Sequence, residues 1–197
     1  VGALLREEVC GPRGIDFHVG LPESEHERAA EHAMPKQMPA LGEINPIREI
    51  AFLKAWSSPG RRGASQWRMA EFPAANGHGT AAALARLMSV YADKGRLEGK
   101  RFISEHTLEA LVAERVEGPD KVLPFDLSWG AGVMRNTKPG FYGPVPQTVG
   151  HSGWGGSCSF ADPVNQLSGA YVMNRQKHFL AGDPRPTRLI EALYGCL

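Results

Sequence analysis

The chain has 197 residues, of which 42% are apolar and 22% charged, a composition typical of a globular protein that buries a core. Its 22 Lys and Arg residues and 21 Asp and Glu residues leave a formal net charge of +1, which argues against nucleic acid and acidic membrane surfaces as partners. No apolar run approaches the roughly 20 residues that a membrane helix needs. The three distant cysteines, Cys10, Cys158 and Cys196, exclude a disulfide framework and favour a reducing, cytoplasmic compartment.

Residues 1–79 are predicted to be mainly helices and loops. Residues 1–10 place apolar side chains at helical spacing without an N-cap, so we expect the chain to begin partway along a helix and to lack upstream sequence. Residues 15–19 alternate between apolar and polar side chains like a short strand. Further predictions are a helix from the capping box at Ser24 to about Ala33, a helix from the N-cap Asn45 through Trp56, and a long loop over 57–79.

Two helices and one small hairpin are predicted in the middle of the chain. Thr80 is predicted to cap a helix that ends at Gly95, and Ser104 is predicted to cap the next helix. Between these helices, residues 96–102 are predicted to form a small turn or hairpin around Glu98 and Gly99. Residues 117–126 are predicted to be a proline-containing loop.

From Leu127 onward the apolar pattern changes to the alternation of β-strands. The predicted elements are a strand over 127–133, a strand that opens at Val149, a hairpin of 157–161 and 167–174 around the turn 162–165, and a final helix that begins after Asp183. Helices at both ends with strands between them indicate an α+β fold, in which an antiparallel sheet is flanked by helices.

The densest candidate site is the sequence His151-Ser152-Gly153-Trp154-Gly155-Gly156, preceded by Gly150. Each glycine in a strand costs about 0.5–1 kcal/mol of stability, so this cluster suggests close approach by a ligand or by another backbone. The alternative interpretation is a β-bulge or a tight corner. A nucleophile elbow of the G-x-S-x-G type does not fit, because the fifth position is Trp154 and a strand, not a helix, is predicted to follow.

This segment resembles the third motif of the serine β-lactamase and penicillin-binding-protein superfamily, above all the class C-type β-lactamase-related proteins and the esterases of that fold. The motif reads K-T-G or H-[ST]-G on a strand beside the active site, and residues 151–153 match the histidine form. Three further segments resemble the superfamily in the same order along the chain: 11–22, 67–80 and 160–175. The resemblance implies a β-lactamase/transpeptidase-like fold.

The superfamily's nucleophile is the serine of S-x-x-K, and none of the eleven serines here has lysine three residues later. The second motif, Y-x-N or S-x-N, is also absent from the chain. We therefore expect residues 1–197 to be the C-terminal portion of a single, incomplete domain whose N-terminal portion, carrying the nucleophile, is missing. The expected function is part of a serine hydrolase, an esterase, amidase or β-lactamase-like enzyme, that is inactive alone. The alternative is a non-catalytic module that binds a ligand or a partner.

The resemblance also implies roles for individual residues. His151 and Ser152 would hydrogen-bond the substrate or the proton shuttle, and the Trp154 backbone N–H would donate to the oxyanion. Gly153 and Gly155 would let substrate approach. A small-molecule ester or amide is the expected substrate, because histidine in place of lysine reduces the fixed positive charge.

The remaining candidates are less specific. His78 is predicted to lie at the rim of the pocket, although its position between two glycines is equally typical of a loop. The other histidines show no metal-ligand spacing, so we expect no metal and no cofactor. Trp67, Trp129 and Phe141 are candidates for an apolar acyl pocket or for the core.

Overall fold

The computed structural model of the protein describes residues 1–54 and 64–197. Its α-helices are α1 (Gly2–Leu4), α2 (Pro46–Phe52), α3 (Ser65–Met69), α4 (Ala81–Ala92), α5 (Glu105–Val112) and α6 (Pro184–Tyr194). Its strands are β1 (Phe17–Val19), β2 (Gly77–Gly79), β3 (Arg96–Leu97), β4 (Lys100–Arg101), β5 (Val116–Pro119), β6 (Asp126–Trp129), β7 (Met134–Arg135), β8 (Val149–Ser152), β9 (Cys158–Asp162) and β10 (Leu167–Tyr171). A π-helical turn (Leu5–Cys10) and two 3-10 turns (Gly11–Arg13 and Glu23–Arg28) complete the regular structure of the described residues.

The main sheet has six strands in the order β10-β9-β8-β7-β6-β5, and every neighbouring pair is antiparallel. One face packs against α6, where Phe160 and Tyr142 surround Ile190. The other face packs against α4, where Ala161 and Val149 meet Ala92. The strands β1 and β2 pair separately, as do β3 and β4. Helices that cover both faces of an antiparallel sheet confirm the predicted α+β class.

The predicted helix starts are confirmed where a side chain can satisfy a free backbone N–H. Four N-cap side chains each accept a hydrogen bond from a backbone N–H two or three residues later: Asn45, Thr80, Ser104 and Asp183. Both predicted hairpins also form, although the last strand ends at Tyr171 and not at residue 174, and Asp162 belongs to β9 and not to the turn. In the first, Glu98 and Gly99 take the positive φ angles that a two-residue turn requires.

Three predictions before Thr80 are wrong or incomplete. The helix predicted from Ser24 is only the 3-10 turn, because the chain from Ala29 is extended and Ala33 exchanges backbone hydrogen bonds with Asn174 and Gln176. The predicted loop over 57–79 contains α3 and β2 in its described part. The helix predicted through Trp56 ends earlier, at Phe52 with Leu53 as its C-cap, and Trp56 itself lies outside the described residues.

Three further corrections concern strands. The predicted loop over 117–126 opens with β5, an edge strand that tolerates Pro119 because its outer side needs no ladder bond. The strand predicted over 127–133 ends at Trp129, where the Gly130 N–H donates to the Val133 carbonyl and reverses the chain. Met134 and Arg135 then form β7, which the sequence pattern did not predict.

None of the helices in residues 1–54 and 64–197 has the length and apolar character that a membrane crossing requires.

Asp162, fully buried at the end of β9, holds the turn of the second hairpin. Its carboxylate accepts hydrogen bonds from the backbone N–H groups of Val164 and Asn165, from the Asn165 side chain and from the Tyr194 hydroxyl of α6. Burial alone would raise the pKa of Asp162, but these hydrogen bonds outweigh it and lower the pKa below the ordinary aspartate value of 3.8. The carboxylate thus ties the hairpin to the last helix.

We predict that Asp162→Asn lowers the free energy of unfolding by about 1–3 kcal/mol, because buried donors lose their charged acceptor. Since the folded pKa is the lower one, this stabilisation is present at neutral pH and is lost as the pH falls below about 4. Urea unfolding at pH 7 and at pH 3 measures both effects. The control Tyr194→Phe removes one of the hydrogen bonds and should cost about 1 kcal/mol. A loss for Asp162→Asn that is equally large at pH 3 contradicts this account.

Candidate active site

The strand β8 carries the first half of the predicted motif between β7 and β9. His151 faces Ser159 across the β8–β9 pair, and Ser152 faces Cys158. Because successive side chains of a strand point to opposite faces, His151 and Ser152 lie on different sides of the sheet. The two residues predicted to act together are adjacent in the chain but are presented in different directions.

Ser152 lies on the α6 side of the sheet and contacts Tyr142. Its Oγ is 3.1 Å from the Tyr142 hydroxyl, which also lies 3.5 Å from the sulfur of Met134. Tyr142 is only 1% exposed, and burial raises the pKa of its phenol far above the ordinary value of 10.0. The phenol is therefore neutral, and its contact with Ser152 anchors the end of β8 in the core.

His151 lies on the other side and keeps an exposed face. Its ring packs against Trp129, with 5.6 Å between the ring centroids, and the Trp129 indole N–H donates to Asp120 at 3.0 Å. Desolvation by this packing lowers the pKa of His151, and a backbone hydrogen bond involving Ser152 opposes the shift only in part. The imidazole is therefore neutral at pH 7 and is held by an aromatic ring that the fold fixes in place.

The strand ends at Ser152, and residues Gly153–Ser157 form a tight turn before β9, so the corner that the glycine pattern allowed is present. The Gly153 N–H donates to the Ser157 carbonyl at 2.8 Å, and the Gly156 N–H donates to the Gly153 carbonyl at 3.1 Å. Gly155 and Gly156 have φ angles of +107° and +112°, a conformation that side-chain-bearing residues rarely adopt. Two of the predicted glycines are therefore required by the backbone itself.

The turn is fixed to the segment before α6. The Gly155 N–H donates to the Phe179 carbonyl, and the Gly155 carbonyl accepts from the Lys177 N–H and from Arg185. Trp154, at the tip of the turn, packs edge to face against Phe52 of α2, with ring centroids 5.5 Å apart. The backbone N–H groups of Gly153, Gly155 and Gly156 thus all donate hydrogen bonds within the fold. The Trp154 side chain points towards α2.

His78 lies on β2, opposite His18 of β1. Desolvation lowers the pKa of His78, and a hydrogen bond with the Asn76 backbone opposes this shift. The nearby Arg68, His32 and His26 lower the pKa further. Trp67 is buried beneath this region, 5.9 Å from the Phe72 ring, and so belongs to the core. Among the described residues, no group of three His, Cys, Asp or Glu side chains could hold a metal ion.

The cavity beside the motif lies on the Ser152 side of the sheet. It is lined by the turn, by Phe141 and Tyr142 and by the start of α6, and it has room for little more than a water molecule. Burial raises the pKa of Cys158, at its wall, to about 11, which keeps the thiol protonated. Phe141 packs on Phe125 and Tyr142 in the core.

Sequence reasoning missed the ion pair that supports the turn. Asp183 is 3% exposed and caps α6, and its carboxylate pairs with the Arg185 guanidinium at 2.6 Å. Burial alone would raise the pKa of Asp183, but the hydrogen bonds from Arg185 outweigh it and lower the pKa. The sequence Asp183-Pro184-Arg185 predicted the start of a helix. No feature of the neighbouring sequence indicated that Arg185 donates a hydrogen bond to the Gly155 carbonyl.

Comparison with known proteins identifies relatives that share this architecture. A family model described as Beta-lactamase matches residues 1–193. The chain belongs to the beta-lactamase family. A penicillin-binding protein homolog from Caulobacter crescentus is 55% identical, with a TM-score of 0.94 over 100% of this chain and 52% of that chain. A family VIII carboxylesterase is 37% identical, with a TM-score of 0.85 over 100% of this chain and 52% of that chain.

Among curated proteins, the Mycobacterium tuberculosis protein named esterase/beta-lactamase LipL is 33% identical over 189 residues, which are 87% of this chain and 42% of the relative. The chain therefore spans about half the length, or less, of these beta-lactamase-family relatives. The family confirms the predicted resemblance to the β-lactamase superfamily, and these neighbours share the antiparallel sheet flanked by helices.

The turn makes a specific prediction about stability. An alanine at Gly156 would adopt a strained φ and its Cβ would collide with the Asp183 carboxylate and the Arg185 guanidinium. We expect Gly156→Ala to lower the free energy of unfolding by about 2–4 kcal/mol. In the matched control, Gly118→Ala, φ is +132° but the Cβ would meet nothing within 4 Å, so only backbone strain of about 1–2 kcal/mol remains. Equal losses in urea unfolding would show that the ion pair does not restrict the turn.

Proposed function

We propose that this chain is the part of a serine hydrolase of the esterase type that provides the H-S-G strand and one oxyanion donor. The single observation that carries the proposal is the tight turn after β8, which holds the half-buried Trp154 at its tip, two residues beyond the motif strand. The relatives support an ester as the substrate, since two of them are named as esterases. The chain's contribution is to position and to polarise the substrate.

A neutral ester or amide fits the charge of the site better than a carboxylate-bearing substrate. A lysine at the first motif position would carry a permanent positive charge, whereas the pKa of His151 is lowered and its ring is neutral at pH 7. Trp129 beside His151 and Phe52 beside Trp154 add apolar surface to the same region. These aromatic rings favour an uncharged acyl or leaving group.

We further propose that the nucleophile comes from a segment outside these 197 residues. No serine of the chain has the S-x-x-K pattern, and relatives of about twice the length share the fold. The sheet supports this view at β10, which lies at its edge with no further strand beside it in the part of the chain that the structure describes. Beside it, Leu189 and Leu193 of α6 are 60% and 38% exposed and line an apolar groove that the absent segment would cover.

In the proposed reaction the external serine oxygen attacks the carbonyl carbon of the ester. The carbonyl oxygen becomes an oxyanion, which accepts hydrogen bonds from the Trp154 N–H and from the backbone N–H of the serine itself. The alcohol leaves with the proton taken from the serine, and an acyl-enzyme remains. Water then attacks the acyl group, releases the acid and regenerates the serine.

The test compares the chain alone with the longest polypeptide from its gene that contains it, using a nitrophenyl ester and nitrocefin. We expect no turnover by residues 1–197 and clear ester hydrolysis by the longer polypeptide. Ester hydrolysis by the chain alone that Ser152→Ala abolishes would instead place the nucleophile at Ser152. A longer polypeptide that carries S-x-x-K and a Y-x-N or S-x-N motif but hydrolyses neither compound would favour a non-catalytic binding module.

The lowered pKa of His151 predicts the pH dependence of that activity. We expect kcat/KM for a neutral ester to fall as the pH drops below about 6.5, because a protonated His151 can no longer accept a hydrogen bond from the substrate or the proton shuttle. In His151→Gln this acid limb should disappear or move by more than one pH unit. The control His106→Gln changes an exposed histidine of α5 and should leave the profile unaltered. An unchanged acid limb in His151→Gln contradicts the assignment.

A further inference from the structure

Arg185 makes an unusual set of contacts for a residue at the start of a helix. Its guanidinium pairs with both carboxylate oxygens of Asp183 and donates from Nη1 to the Arg175 carbonyl at 2.8 Å. From Nη2 it also donates to the Gly155 carbonyl at 2.8 Å, and its plane lies over the Tyr171 ring, 5.7 Å from the centroid. The guanidinium therefore has little freedom, and one of its donors is directed at the turn of the active-site motif.

The Gly155 carbonyl determines where the next backbone N–H points. A peptide unit is planar, and its C=O and the following N–H point in opposite directions. When Arg185 and the Lys177 N–H hold the Gly155 carbonyl, they also fix the direction of the Gly156 N–H. That N–H donates to the Gly153 carbonyl at 3.1 Å.

The same rule then applies once more. The Gly153 carbonyl and the Trp154 N–H belong to one peptide unit, so the hydrogen bond from Gly156 fixes the direction of the Trp154 N–H. Two rigid peptide planes thus connect the Arg185 guanidinium to the proposed oxyanion donor. Gly155 and Gly156, two of the three glycines on this route, have positive φ, a conformation that side-chain-bearing residues rarely adopt.

We propose that Arg185, held by Asp183, is a positioning residue that aims the Trp154 N–H at the oxyanion. This inference rests on the proposed function, because it assigns Arg185 a task in ester hydrolysis. Asp183 contributes by holding the Arg185 guanidinium in place. The planar fork of guanidinium donors can bind both oxygens of a carboxylate, and a lysine ammonium would not reproduce this geometry. Arg185 does not touch the substrate in this account, and its effect passes entirely through the backbone of the turn.

The test uses the longer polypeptide with a nitrophenyl ester. Loss of a whole oxyanion donor costs about 10²- to 10³-fold in kcat, so a misdirected donor in Arg185→Gln should cost about 10- to 100-fold. Since the interaction develops in the transition state, KM should stay within about twofold. Hydrogen exchange provides a readout without activity: the Gly156 amide should exchange faster in Arg185→Gln. Arg185→Lys should recover only part of kcat.

Two further variants separate positioning from stability. The double variant Asp183→Asn/Arg185→Gln leaves no unpaired buried carboxylate and keeps a good N-cap residue at position 183. We expect it to lose as much kcat as Arg185→Gln alone. The control Arg86→Gln removes an arginine that donates to the Gly14 and Arg13 carbonyls and pairs with Glu98, far along the chain from the turn. This control should keep kcat within about twofold.

The outcomes distinguish the two proposals. If the wild-type polypeptide hydrolyses esters but both Arg185 variants keep kcat within about twofold, the positioning role is wrong and the proposed function stands. An equal loss of kcat in Arg86→Gln, or a Gly156 amide whose exchange is unchanged in Arg185→Gln, also overturns the positioning role. If the wild-type polypeptide is inactive although its S-x-x-K serine is present, the proposed function fails and the positioning role falls with it.

Discussion

The proposed active-site side of this molecule depends on one backbone constraint, the reversal between β8 and β9 within residues Gly153–Ser157. The two strands pair in register up to Ser152 and Cys158, so the chain must turn back in five residues. It does so with two consecutive glycines at positive φ and two hydrogen bonds within the turn. A side chain at either glycine would strain this conformation. The turn places Trp154 at the tip and leaves His151 on the exposed side of the sheet.

The surroundings of the turn are polar and buried on one side, aromatic and open on the other. On the buried side, the Asp183–Arg185 pair and the Tyr142 phenol fix the backbone and the end of β8. On the open side, Trp129 holds the His151 ring and Phe52 packs on Trp154. A rigid support beneath an apolar surface suits the proposed task of orienting a neutral substrate.

The sequence predicted the local features of this fold well. Capping side chains such as Thr80 and Asp183 and turn pairs such as Glu98-Gly99 act over two to four residues, so the sequence displays their causes directly. It failed where distant pairing decides the structure. The segment around Ala33 leaves the helical conformation because it bonds to residues 174 and 176, and Val116–Pro119 is a strand because β6 is available beside it. The contact between Arg185 and the Gly155 carbonyl was not predicted for the same reason, since 30 residues separate them.

The central claim is that this chain assists a serine that it does not itself contain. The most direct measurement is to treat the longest polypeptide from its gene with a fluorophosphonate and to locate the modified serine by mass spectrometry. We predict modification of the serine of an S-x-x-K motif outside residues 1–197, and no modification of Ser152, whose hydroxyl contacts the buried Tyr142. Covalent labelling of Ser152, or of any other serine within these residues, would contradict the account.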